Sequence, residues 1–221
     1  MRWWRSRQSV PWLLAALTAA TAILLLLIPP ERTLGGVIRV IFVHGALVQV
    51  GLVAFAGAGI AGALYLIRRQ ESAATWMMAW QQCALLIWIV YALASMWSTY
   101  LAWGQWIAWD EPRVRASAYV LVFALACWLV GRWVGSTSFA SLVNIATAVV
   151  AWTLVKGATI FRHPFDPIGA SGSDTYRLIF ALLLLVFMAA AILMARWLRP
   201  FAGSSNGRLL PCRGSPTRKA A

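Results

Sequence analysis

Six long apolar runs, each broken by a short polar stretch, dominate the pattern along the chain. They lie near Pro11–Ile28, Phe42–Ile67, Thr75–Met96, Ser117–Val134, Phe139–Ile160 and Tyr176–Leu198. Each is close to the ~20 residues that a helix needs to cross the hydrocarbon core of a bilayer. The breaks carry the turn formers and charges: "PPERTLGG", "RRQES", a tryptophan-rich stretch, "GRWVGSTS" and "RHPFDPIGASGSD". In lipid every backbone N–H and C=O must be satisfied within the segment, so these runs predict helices. The expected fold is all-α: a polytopic membrane protein of six transmembrane helices with a short external tryptophan-rich segment. Residues 1–200 are expected to form one membrane domain, with the tryptophan-rich loop at about 97–115. Residues 201–221 are expected to be a basic, disordered tail.

Composition supports this class. The chain of 221 residues is 62% hydrophobic and 11% charged, with a mean hydropathy of +0.75. Its first run follows the basic segment "MRWWRSR" as a signal peptide would. That run is longer than an ordinary signal core, however, and "LIPPERTLGG" has no small-x-small cleavage site, so it reads as a retained span.

The net charge of +13 is not concentrated in a stripe, which argues against nucleic acid as a partner. It marks topology instead. With both termini cytoplasmic, twelve basic residues fall inside (Arg2, Arg5, Arg7, Arg68, Arg69, Arg132, Arg196, Arg199, Arg208, Arg213, Arg218, Lys219) and seven outside (Arg32, Arg39, Arg113, Arg115, Lys156, Arg162, Arg177). That bias is the one expected for a bacterial inner membrane protein, with membrane lipids as its surroundings.

"GAGIAG", Gly57 to Gly62, matches a dinucleotide-binding pattern, but no strand precedes it and it lies within a span. Its small-xxx-small pairs (Gly57/Ala61, Ala58/Gly62, Gly59/Ala63) point to close helix packing. Cys83, Cys127 and Cys212 form no CxxC or CxxCH, so nothing here attaches haem covalently. No nucleophile–base–acid set is present either, and a catalytic role is not indicated.

The chain has two histidines, His44 and His163. His44 opens the second span beside loop one, and His163 follows the fifth span in loop five. The tryptophan cluster "WGQWIAWD", residues 103–110, is in loop three. Odd-numbered loops share one membrane face whichever way the chain inserts. Two neutral imidazoles are what an iron porphyrin needs for axial ligation, and flat indoles suit its face or edge. Arginines on that face, among them Arg39, Arg113, Arg115, Arg162 and Arg177, could receive its propionates. Helical spacing would put Trp103, Trp106 and Asp110 on one face of a short surface helix, with Trp109 farther round and Pro112 closing it. An ordinary interfacial belt is the other reading of these tryptophans. Trp3, Trp4, Trp12, Trp133 and Trp197 are expected to form such a belt on the opposite side.

Residues 103–110 resemble the WGxxWxWD signature of the cytochrome c assembly proteins, a tryptophan-rich, haem-handling family, with the nearest likeness to its haem exporter protein C branch. "RVIFVHGAL" is similar to the histidine segment that opens the family's second span, and His163 falls in the corresponding loop. The sequence departs from the family at Gly45–Ala46, Ile107 and Pro112, and around His163. The resemblance implies a protein that binds haem b non-covalently at the external face and presents it to a haem chaperone (CcmE-like), with ABC transporter subunits (CcmA/CcmB-like). It implies His44 and His163 as iron ligands, and Trp103, Gly104, Trp106, Trp109 and Asp110, with Arg113 nearby, as the haem platform. A b-type haem electron-transfer subunit and a haem-free permease are the alternatives.

Overall fold

The computed structural model describes residues 9–160 and 168–205, and these residues form six helices and no strand. They are α1 (Ser9–Leu27), α2 (Ile38–Arg68), α3 (Glu71–Trp103), α4 (Pro112–Val134), α5 (Thr137–Gly157) and α6 (Asp174–Ser205). All six contain a stretch long and apolar enough to cross a membrane, so the chain is a multi-pass membrane protein. Four of the helices (α2, α3, α4 and α6) outrun the apolar runs, most of all α3, which continues to Trp103, whereas α1 and α5 stop one and three residues short of the ends of theirs. Hydropathy marks only the part of a helix that lies in hydrocarbon, and the backbone keeps its hydrogen bonds into the headgroup region. The tail residues 206–221 lie outside the described residues, while α6 reaches five residues past the expected domain end at 200.

Helix α3 packs on α2, α6 and α4, α2 also packs on α5, and α1 rests on the outside against α6. Bonds between elements confirm the alternation of helix ends. At one face, the Tyr176 hydroxyl donates to the Pro29 carbonyl (3.1 Å), and Lys156 Nζ, at the end of α5, donates to Gln49 Oε1, three turns into α2 (3.1 Å). At the other, the Arg69 guanidinium donates to Ser138 Oγ (2.6 Å), and Arg199 Nε donates to Thr75 Oγ1 (3.2 Å). Trp12 and Trp133 stand exposed at this second face, with Trp197 at its edge, as belt residues would.

The glycine-rich stretch of α2 packs helices closely. A Cβ at Gly59 would sit 2.8 Å from Ala148 Cβ of α5, and one at Gly62 would sit 3.0 Å from the Ser141 carbonyl oxygen. Small residues let membrane helices approach until their backbones touch, gaining dispersion contacts where no hydrophobic force separates protein from lipid. Gly51 does the same for Trp88, whose ring would lie 2.8 Å from an added Cβ. Trp88 is wholly buried and meets Phe55 edge-on, with centroids 5.5 Å apart. This centre of the bundle fixes α2, α3 and α4 at the level where the candidate site begins.

Candidate functional site: a histidine–tyrosine pair beneath an aromatic loop

His44 is in the second turn of α2, half-buried, rather than at the helix start. Its imidazole stacks on the ring of Tyr91 from α3, with centroids 5.1 Å apart and planes at 27°. Tyr91 is buried, and its hydroxyl lies 2.8 Å from Ser117 Oγ of α4. Ser117 Oγ donates to the Arg113 carbonyl (2.8 Å), which leaves the tyrosine as donor in the Tyr91–Ser117 bond. Trp88 Nε1 donates to the Ser117 carbonyl (3.1 Å). Polar groups inside a membrane bundle need such partners, since an unmade bond there costs several kcal/mol (about 2–7 in an apolar medium). The sequence reading missed Trp88, Tyr91 and Ser117. Their signal was available: Trp88 and Tyr91 are spaced i, i+3, which puts both on one face of a helix.

The tryptophan loop is not a short helix. Gly104 ends α3 in the left-handed conformation (φ 70°), its N–H bonding to the Tyr100 carbonyl at 2.9 Å. A glycine there adopts a positive φ without a Cβ clash, which favours a helix stop at this point over continuation. Residues 104–111 are irregular, so Trp103, Trp106 and Asp110 do not share a helical face. Trp103 is the last residue of α3, half-buried, and the loop folds back over that helix. The Trp106 ring stacks on Tyr100 (4.4 Å, 13°) and lies 6.0 Å from the Trp97 ring, while its carbonyl accepts from Thr99 Oγ1 (3.0 Å).

Pro112 likewise does not close a helix. It opens α4 as a first-turn residue, where the missing N–H costs nothing. Glu111 is extended and 2% exposed, and its carbonyl accepts from the N–H groups of Val114 and Arg115. The buried acid of this loop is therefore Glu111, whereas Asp110 is exposed. Ala108 is buried beneath the loop. Trp109 stands exposed, and with Trp97, Tyr100 and Trp106 it leaves an aromatic surface open, each residue 43–55% exposed.

The two parts of the site lie at different depths. Nine residues separate Tyr91 from Tyr100, about 13 Å along α3, and five separate Pro112 from Ser117, about 7 Å along α4. The aromatic surface therefore sits roughly 10 Å beyond the His44–Tyr91 pair, with Arg113 in the first turn of α4 between them. Arg113 is half-buried and interacts electrostatically with Tyr91 and Glu111.

His163 and Arg162 lie outside the described residues. The chain on either side ends at the face that carries His44. Lys156 ties α5 to α2, and Ile168 is buried in a cluster with Ile28, Ile38, Phe42 and Ile179. Of the other arginines expected there, Arg39 donates to the Ile28 carbonyl (3.4 Å), Arg177 is paired with Asp174 (2.8 Å), and Arg115 is exposed.

In loop one the Glu31 carboxylate accepts from the N–H groups of Thr33 and Leu34, both at 2.7 Å. These backbone bonds hold its pKa below the usual carboxylate value of 4.5. The turn they close, bridged from Glu31 to Gly35, sets the chain entering α2. Among known proteins, no family model matches the sequence and no curated protein is significantly similar to it.

Proposed function

We propose that this protein holds haem b at the face bearing residues 104–111, the external face of a bacterial inner membrane, and passes it to a recipient in c-type cytochrome maturation. The observation that supports this reading most is the pairing of one imidazole, His44, with an open aromatic surface about 10 Å farther out. The donor set suits an iron porphyrin. His44 offers a nitrogen ligand in a half-buried setting, Arg113 offers a guanidinium between the two levels, and Trp106 and Trp109 offer flat faces.

When bound, haem would supply the iron and the reactive vinyl edge. The chain's own part is to hold and orient. Tyr91 stacks against His44 and limits rotation of the imidazole, and the Tyr91–Ser117–Arg113 bonds fix Tyr91 in turn. His163 is the second ligand in this reading. Gly104 sets the direction in which the loop returns, and Trp103, Trp106, Trp109 and Asp110 form the surface offered to a CcmE-like chaperone, with CcmA/CcmB-like subunits assisting. Both termini are then cytoplasmic.

The test is optical. Purified protein loaded with haem should give a six-coordinate, low-spin spectrum. His44→Ala and His163→Ala should each shift it towards five-coordinate high-spin, and added imidazole should reverse the shift. An unchanged low-spin spectrum in either variant excludes that histidine as a ligand. Failure of the wild type to retain haem refutes the reading.

A further inference from the structure

A second polar feature lies on the other side of Trp88, and nothing in the haem reading uses it. Between α3, α4 and α5, a cavity of about 60 Å³ is lined at its inner end by Gln81 and Asn144. Gln81 is 3% exposed and Asn144 5%. Neither the amide nitrogen nor the oxygen of Gln81 has a hydrogen-bond partner in the protein, and Asn144 Oδ1 has none either. Asn144 Nδ2 is engaged by the Ala140 carbonyl at 2.8 Å, which turns the free oxygen away from that contact. Three unpartnered amide atoms within a membrane bundle are destabilising, so they point to a ligand that supplies both donors and acceptors.

The cavity leads towards the face where α4 turns into α5, past Cys127 to Arg132, Ser136 and Thr137. From the start of α5 to Asn144 is seven residues, about 10 Å, and from the start of α3 to Gln81 is ten, about 15 Å. Counted from the starts of the apolar runs at Thr75 and Phe139, Gln81 and Asn144 lie about 9 and 8 Å into a hydrocarbon core of ~30 Å, a quarter to a third of the way through. Its volume suits roughly four waters and excludes a porphyrin. Beyond Gln81, the wholly buried Trp88 closes the path to Tyr91.

We infer that this cleft is a hydrated site: a short file of water, continuous with the aqueous phase at the α4–α5 turn, hydrogen-bonded at its inner end by Gln81 and Asn144. Arg132, whose guanidinium lies 5.4 Å from the Trp128 ring, stands at its mouth. The chain would then carry water about a third of the way into the membrane from the face opposite its aromatic loop, with the layer at Trp88 as part of the remaining barrier.

Cys127 reports on this directly, because the silver ion, about as small as water, binds the thiolate and a thiol in lipid does not ionise. The experiment uses the full chain carrying Cys212→Ser, in sealed vesicles of both orientations. The same chain with Cys127→Ser as well is the blank, and the probe is the silver ion in a chloride-free buffer. Cys127 should be modified only from the α4–α5 face, at least ten-fold faster than a cysteine at Leu129. That residue is 58% exposed on the lipid side of α4 and lies nearer the same face. Gln81→Leu with Asn144→Leu should slow modification of Cys127 ten-fold or more. Modification no faster than at Leu129→Cys, modification from the opposite face, or an unchanged rate in a folded double-leucine variant would each overturn the inference. The comparison with Leu129→Cys, made in the Cys127→Ser background, leaves Gln81 and Asn144 untouched, so it stands even where the leucine variant fails to fold.

Discussion

Replacing Gly59 with alanine tests whether close approach of α2 and α5 holds the bundle together. The added Cβ would lie 2.8 Å from Ala148 Cβ, against a carbon–carbon optimum of about 3.5–4.0 Å. The helices must therefore part by roughly 0.7 Å or more at this crossing, and overpacking of this kind costs about 1–3 kcal/mol. Alanine also recovers up to ~1 kcal/mol of helix propensity, so the single variant should lose about 0–2 kcal/mol. Ala148→Gly alone should lose about 1 kcal/mol in propensity plus the contact of one methyl. The double variant Gly59→Ala/Ala148→Gly moves the methyl across the interface. The next atom facing the new Cβ is the Asn144 carbonyl oxygen at 3.5 Å, an ordinary contact. Stability near wild type is expected, with an interaction energy of about 1–3 kcal/mol in the double-mutant cycle. Steric trapping in bicelles measures this for the whole chain. Two singles that simply add, within about 0.5 kcal/mol, would refute the reasoning. Gly62→Ala is a useful contrast: it meets the Ser141 carbonyl oxygen at 3.0 Å, which no side-chain change relieves.

Three further outcomes are expected. A cysteine at Gln105, exposed in the aromatic loop, should react with an impermeant thiol reagent in intact cells while Cys212 resists. The reverse pattern would invert the orientation. Trp106→Ala removes the stack on Tyr100, worth about 0.5–1.5 kcal/mol beyond area. It should speed haem loss several-fold on washing and leave the haem that stays low-spin; unaltered retention would make these tryptophans a belt. For Glu31, the lowered pKa means that its carboxylate stabilises the loop-one turn above the unfolded value near 4.5, and this stabilisation is lost as pH falls through the lower folded value. An NMR titration of its carboxyl carbon should find a midpoint below 4.5, with the Thr33 and Leu34 amides shifting in step. A midpoint at or above 4.5 contradicts the role of those two bonds.

The haem reading rests on particular residues, and the sequence carried some of them further than others. Trp103, Trp106, Trp109 and His44 are conspicuous in any reading, because histidine and clustered tryptophan are rare in apolar chain. Their arrangement was not legible. Helical spacing in "WGQWIAWD" suggested one shared face, but Gly104 stops the helix within that motif and Pro112 starts the next. Periodicity does not report where a cap falls.

The alternation of apolar and polar stretches determined by itself that the chain is all-helical, crosses a membrane six times and brings its odd loops to one face. Those conclusions follow from bilayer thickness and from parity, and neither depends on which helix touches which. Only the tertiary structure decided what meets His44, that Glu111 and not Asp110 is the buried acid, and that Gly59 faces Ala148. It also decided that Gln81 and Asn144, two unremarkable amides sixty-three residues apart, line one cavity. Every apolar stripe is an equally good neighbour for every other when the surrounding lipid is as apolar as leucine. Pairing is then chosen by shape, through glycines that admit a close backbone and polar groups that must find partners, and such complementarity exists only once two helices are side by side.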